Sequence, residues 1–358
     1  MKNTIMTMNR KSLSTLSLNI SETEYRELPQ LSYSTLAKYE KGGFSSIPHL
    51  FEKQESDSLT FGSMVDTLIT EGEEAFRKKF VVVDFKLPSD ALVEITKELL
   101  NMPVETLDEI SDEDILNTCN AFEYCAKMSD AVRIKKVREG CTSYFNDMKR
   151  CGDRIIVSER TYQEVLATVG ALKNCSQSAA YLQHSRNETE LTCEFLYQQK
   201  FIDTIDGLDV KCMFDLILVN HDKKVIIPID LKTSSAPEYD FPRKYVENRY
   251  DIQSRLYSAI LRDIISKDEY FADFTVQCFR FLVINKTSLL PLLFKDEKST
   301  EPLGDIKLTF ESGYNKILRN PITIGKELKH YLETGQKVPD GIDIFKPIDI
   351  YKQLLKNE

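Results

Sequence analysis

At 358 residues, 42% hydrophobic and 29% charged, the chain is long enough to bury a full core and reads as one large domain or two. No apolar run approaches the roughly 20 residues that a membrane helix needs, and the basic N-terminus lacks the apolar stretch of a secretion signal. The net charge of −9 argues against a uniformly basic nucleic-acid binder and leaves room only for a local positive groove.

Residues 1–27 are rich in Ser and Thr and read as a flexible arm. Leu31 to Glu40 then reads as a short helix capped by Ser32 or Ser34. Thr60 to Ile69 is a clearer helix, with Phe61, Met64, Val65, Leu68 and Ile69 on one face and Asp66 off that stripe. Gly62, one turn earlier, leaves the surface bare for a close neighbour. Residues 90–185 read as mostly helical, including a helix that opens at Ser158. After Arg186 the texture turns to strands, at 191–202, 209–219 and 224–232, then a helix near 251–265 and strands near 272–285 and 288–294. Asn220 to Lys223 reads as a hairpin turn. Pro228 cannot donate to a ladder, so it marks a strand edge, a bulge or a local irregularity just before Asp230. The expected organisation is α+β: an arm over 1–27, a mostly helical region over 28–186, a core over 187–300 and a helical or loop extension over 301–358.

Charge and thiol chemistry add expectations. Nine acids and one lysine stand between Asp90 and Asp114, most simply a solvated helix face. From Lys127 to Arg154 eight basic residues face four acids, and Arg243, Lys244, Arg249 and Arg255 form a second basic group. Both are candidates for a positive groove. Eight cysteines without any Cys-x-x-Cys pair indicate reduced thiols in a cytoplasmic setting. The four histidines are dispersed, and no Gly-x-x-x-x-Gly-Lys-Ser/Thr phosphate loop occurs.

The chemistry concentrates in one stretch. Asp215 lies in the strand-like run Met213 to Val219, and Asp230 with Lys232 closes the next one. Strand alternation projects Asp230 and Lys232 from one face. Beside Asp215 they make two carboxylates and an ammonium that suit a hard divalent cation, Mg²⁺ or Mn²⁺, and a polarised water against a phosphodiester. Asp215 and Asp230 are the expected ligands, the Leu231 backbone carbonyl a further one, Asp66 the completion of the shell, and Lys232 the partner of the water. Gln253 and Tyr257, at i and i+4 on the following helix, share a face and are candidates to support DNA or the site. Glu194 is a further candidate acid.

With these residues in order, the chain resembles the PD-(D/E)xK nuclease superfamily, and within it the RecE-like (exonuclease VIII type) and RecB-like phage enzymes. The resemblance runs over residues 31–295, through Leu31-Ser-Tyr-Ser, Phe61-Gly-Ser-Met-Val-Asp66, Lys211-Cys-Met-Phe-Asp215, Ile229-Asp230-Leu-Lys232-Thr233 and Gln253-Ser-Arg-Leu-Tyr257. It implies a restriction-endonuclease-like core, a central mixed sheet flanked by helices, behind an N-terminal helical region. It also implies a Mg²⁺-dependent exodeoxyribonuclease that degrades one strand of linear duplex DNA from the 5′ end, with Thr233 supporting DNA. The implied partners are DNA ends, a single-strand annealing protein and further copies in a ring, in a bacterial host cytoplasm and away from membranes. Asp66 stands where the family usually has histidine. Some relatives hold an iron–sulfur cluster by three cysteines near the C-terminus; here none follows Cys278, so no cluster is expected. The alternatives are a structure-specific or restriction-like endonuclease on the same core, and an inactive DNA-binding or virion protein.

Overall fold

β-branched and aromatic runs leave their backbone groups unsatisfied unless they pair, and those after residue 192 pair with one another. The computed structural model describes residues 10–52, 56–83, 88–152, 154–182, 193–311 and 313–336. Its strands are β1 (Leu31–Ser32), β2 (Phe80–Val83), β3 (Ile155–Ser158), β4 (Cys193–Ile205), β5 (Leu208–Asn220), β6 (Val225–Ser234), β7 (Thr275–Val276), β8 (Phe279–Asn285), β9 (Pro291–Asp296), β10 (Ile306–Thr309) and β11 (Asn315–Leu318). The helices are α1 (Glu22–Glu27), α2 (Tyr33–Gly42), α3 (Asp57–Thr70), α4 (Glu73–Lys79), α5 (Asp90–Leu99), α6 (Asp112–Ala121), α7 (Asp130–Cys151), α8 (Glu159–Asn174), α9 (Ser176–Leu182), α10 (Phe241–Glu247), α11 (Tyr250–Ser266) and α12 (Pro321–Thr334). The fold is α+β. The chain forms two units, Met1–Asp57 with Ala171–Glu358, and Ser58–Gly170. The boundaries therefore differ from those expected at 27, 186 and 300, because the segments before and after the second unit share one core.

In the first unit, β5 and β6 are the centre of a seven-stranded mixed sheet ordered β1-β5-β6-β8-β9, with β4 also on β5 and β7 also on β6. β4 and β5 join through Asp206 and Gly207, both at positive φ (48° and 78°), a two-residue turn whose twist suits an antiparallel hairpin. Two strands then part company. The β5–β6 ladder ends at Leu216 opposite Ile229. Beyond it β5 continues on β4 and takes β1 as a parallel neighbour at Val210 and Lys211, while β6 continues on β8 through Ser234. The result is a fork with Asp215 on one tine and Asp230 on the other. Pro228 lies inside the sheet, where the parallel neighbour changes from β7 (last paired at Ile226) to β8 (first paired at Ile229), so its missing donor meets a break in the partner.

Helix α11 closes one face of this sheet. Ile252, Leu256, Ile260, Leu261 and Ile265 recur at helical spacing and are buried in one core with Phe201, Phe214, Phe279 and Phe281. The expected arm is ordered over its described residues. Leu13 is fully buried, Leu18 N–H donates to the Lys200 carbonyl at 2.8 Å along β4, and α1 opens with a Ser21–Glu24 capping box. Leucines at 13, 16 and 18 give this Ser/Thr-rich segment enough apolar surface to dock. The expected C-terminal extension contains α12 and also the β10–β11 hairpin; Pro339 and Pro347 lie outside the described residues.

The second unit is mostly helical, with β2 and β3 paired in parallel and a core of Ile95, Leu99, Ile115, Val137, Cys141 and Phe145. Among the described residues no helix is long and apolar enough to cross a membrane.

Candidate active site at a strand fork

The fork fixes the central constellation. Asp215, half-buried on β5, accepts the backbone N–H of Leu231 at 2.9 Å through Oδ2. A carboxylate thus replaces the strand carbonyl that the diverging ladder no longer supplies. In an extended strand a residue's C=O leaves on the same side as its N–H, so the Leu231 carbonyl is directed into the same fork. Opposite Asp215 in the β4 register, between the Tyr197–Leu216 and Gln199–Phe214 pairs, stands Gln198 with φ 50°, a left-handed conformation that is strained for a residue with a Cβ.

Asp230 is 3% exposed and lies within 2.6 Å of the Lys232 ammonium. Its other oxygen accepts the Gln253 side-chain amide at 2.5 Å, a bond from α11 across to β6. Alternation along β6 and the position of Gln253 on the sheet-facing side of α11 bring all three together. Burial by itself would depress the Lys232 ammonium. The opposing pull of Asp230, followed by Tyr250, Asp215 and Tyr33, outweighs it and holds the group well above the ordinary lysine range. In this state Lys232 is held as the cation of the pair.

Two carboxylates and a backbone carbonyl are hard oxygen donors, and Mg²⁺ is usually bound by one or two carboxylates together with waters and substrate phosphates. The fork fits that donor set. Among the described residues no group of three or more His, Cys, Asp or Glu side chains is gathered that could hold a metal ion. Asp66 is on α3 in the second unit, half-buried beside the stripe of Phe61, Met64, Val65 and Leu68.

Other expected residues are placed elsewhere. Tyr257 is buried in the core against Phe214 (ring centroids 5.2 Å apart) and Phe279. Burial, then Tyr25, Cys212, Asp230 and Asp215, push its phenol well above the ordinary range. Thr233 is half-buried and, by strand alternation, on the opposite face of β6 from Asp230 and Lys232. Glu194 pairs with Val219 at the far end of β5, accepts Ser12 and the Leu13 N–H (3.2 Å), and stands 3.5 Å from His221, so it anchors the N-terminal segment.

The basic groups are also largely engaged. Arg243 pairs with Asp240 and Glu247, and Lys244 with Glu247 at 3.1 Å. Arg249 and Arg255 are buried, at 4% and 2% exposed, and Arg255 donates to the Gly304 carbonyl. Within Lys127 to Arg154, Arg133 donates to the Tyr124 carbonyl (2.9 Å), and Lys149 to those of Leu100 and Met102 (both 3.2 Å). Arg138 ties the acidic stretch to α7 through Asp112 (2.6 Å) and the Ile110 carbonyl (2.9 Å). These groups are tied into local structure, whereas Lys127, Lys135, Lys136, Arg150 and Arg154 of the first stretch stay exposed.

Two tyrosines stand near Lys232 without having been expected there. The Lys232 ammonium lies 5.0 Å from the centroid of the Tyr250 ring, and Tyr33 stands 6.2 Å from Tyr250. The signal was present, since Tyr250, Gln253 and Tyr257 recur at i, i+3 and i+7 on one helix face. Compared with known proteins, the chain matches no family model and no curated sequence.

Proposed function

We propose that the chain is a Mg²⁺-dependent deoxyribonuclease of the PD-(D/E)xK type, acting as an exonuclease on linear duplex DNA. The observation that carries this reading is the buried Asp230–Lys232 pair beside Asp215 at the mouth of a strand fork. Desolvation offsets most of the attraction in such a pair, so stability alone gives weak grounds for keeping it. On this reading the mixed sheet is the restriction-endonuclease-like core.

A bound Mg²⁺ or Mn²⁺ would polarise the phosphate and acidify a water. Asp215, Asp230 and the Leu231 carbonyl would hold it, and Gln253 keeps the Asp230 carboxylate oriented. Lys232 donates from its ammonium toward the attacked phosphate and offsets the charge that develops there. The 5′ polarity, the DNA ends, an annealing partner and ring assembly come from the resemblance.

The test is a time course on linear duplex labelled at the 5′ or the 3′ end, beside a covalently closed circle, with Mg²⁺ or with EDTA. Loss of the 5′ label with the circle intact supports the exonuclease. Cleavage of the circle moves the activity to an endonuclease on the same core. Binding without turnover in any metal refutes a catalytic role.

A further inference from the structure

Arg249 adopts a left-handed backbone (φ 55°, ψ 41°) with no glycine to make it easy. Buried bonds hold it there. Its guanidinium donates to both oxygens of Asp251 (2.9 and 3.1 Å) and to the Arg319 carbonyl (3.0 Å), and pairs with Glu40 at 2.6 Å. A strained residue that its surroundings over-determine is a reason to look at what it places. It places Tyr250, the first residue of α11. The Tyr250 ring is stacked on Phe241 (5.9 Å, 20°) and packs on Phe281 (5.8 Å), and its hydroxyl accepts the Asn248 side chain at 3.3 Å. Tyr33 steadies the same turn by donating to the Asn248 carbonyl at 3.1 Å.

We infer that Tyr250 is the positioning residue for Lys232: its ring confines the ammonium beside Asp230, and the Arg249 turn sets that ring. The inference rests on the nuclease reading of Lys232. A lysine stem has four rotatable carbons, and the ion pair with Asp230 fixes one direction of the ammonium. The ring, 5.0 Å away, adds a second direction through its negative face. The hydroxyl is directed to Asn248 and not to the lysine, so the face of the ring does the positioning.

Two measurements on wild type, Tyr250→Phe and Tyr250→Leu test this. The first is Mg²⁺-dependent cleavage of linear duplex. The second is acetic-anhydride labelling of Lys232, read by peptide mass spectrometry without metal or DNA. We expect Tyr250→Leu to lower kcat about tenfold with KM near wild type, and to raise Lys232 labelling severalfold. Tyr250→Phe restores both. If Tyr250→Leu unfolds early, Tyr250→Met replaces it. A leucine variant with wild-type kcat and labelling overturns the inference, as does a phenylalanine variant as damaged as leucine. A wild type without metal-dependent cleavage refutes the nuclease reading instead, and the labelling still decides whether the ring confines the lysine.

Discussion

The Asp230–Lys232 pair can be separated into a structural and a chemical role by a double-mutant cycle. The charges are 2.6 Å apart, with side chains 4% and 23% exposed. At an effective dielectric of about 20 their gross attraction is about 6 kcal/mol, most of it offset by desolvation. Removing one partner leaves an uncompensated charge, which costs about 3–5 kcal/mol at a fully buried site. Lys232 keeps some solvent, so we expect about 2–3 kcal/mol for Asp230→Asn or Lys232→Met alone. The double variant removes both charges and should return to within about 1 kcal/mol of wild type. Thermal unfolding reads this, followed on the transition of the first unit because two units need not melt together. Each single variant should fall by about 5–10 °C and the double should recover most of it. Cleavage behaves differently: all three should lose at least about 10³-fold, since several kcal/mol of transition-state stabilisation disappear in each. Additive stability losses, or turnover retained by Asp230→Asn, would refute the reasoning.

Further outcomes follow from the same contacts. Because the folded Lys232 titrates above its unfolded value, its contribution to stability is complete below about pH 10.4 and fades as pH rises toward the folded value. Unfolding measured from pH 8 to 11.5 should decline more steeply in wild type than in Lys232→Met. Gln253→Ala removes the bond that orients Asp230 and should raise the Mg²⁺ concentration for half-maximal cleavage about 10–100-fold, with DNA binding unchanged. Glu194→Gln should speed proteolysis around residues 12–18 while leaving cleavage alone, since Glu194 holds that segment. Tyr257→Phe should keep stability and cleavage, whereas Tyr257→Ala should cost about 3–5 kcal/mol in unfolding measurements as an aromatic core residue.

Much of this arrangement was legible because strands and turns have short-range signatures. Alternation put Asp230 and Lys232 on one face, and the turn after Asn220 required β5 and β6 to be neighbours, which brought Asp215 opposite. Pro228 announced an irregularity that the β7-to-β8 change supplies. The fork itself was not legible, because it depends on β1 arriving from far along the chain to pair with Val210 and Lys211. For the same reason Tyr33 and Tyr250 were missed: their proximity to Lys232 is set by tertiary packing. Local composition also misled at the N-terminus, where a Ser/Thr-rich stretch reads as an arm yet docks through Leu13 and Glu194.

The second basic group, Arg243, Lys244, Arg249 and Arg255, was a weaker sequence signal for a different physical reason. A cluster of Lys and Arg in the sequence says how much positive charge is near, but not where the donors point. Arg249 and Arg255 carry long stems into the interior, and Arg243 lies within reach of Asp240 and Glu247 on the same short helical segment. Guanidinium groups satisfy carbonyls and carboxylates wherever these are close, so a clustered Arg is a site for DNA only if its neighbours leave donors outward. Nonspecific phosphate contacts also make affinity fall with salt in proportion to the number of phosphates neutralised. With Arg243 and Lys244 already paired at the surface, Arg243→Ala/Lys244→Ala should leave the salt dependence of DNA binding unchanged. A slope shallower by about 2 would mean instead that both side chains abandon Asp240 and Glu247 for phosphates in the complex.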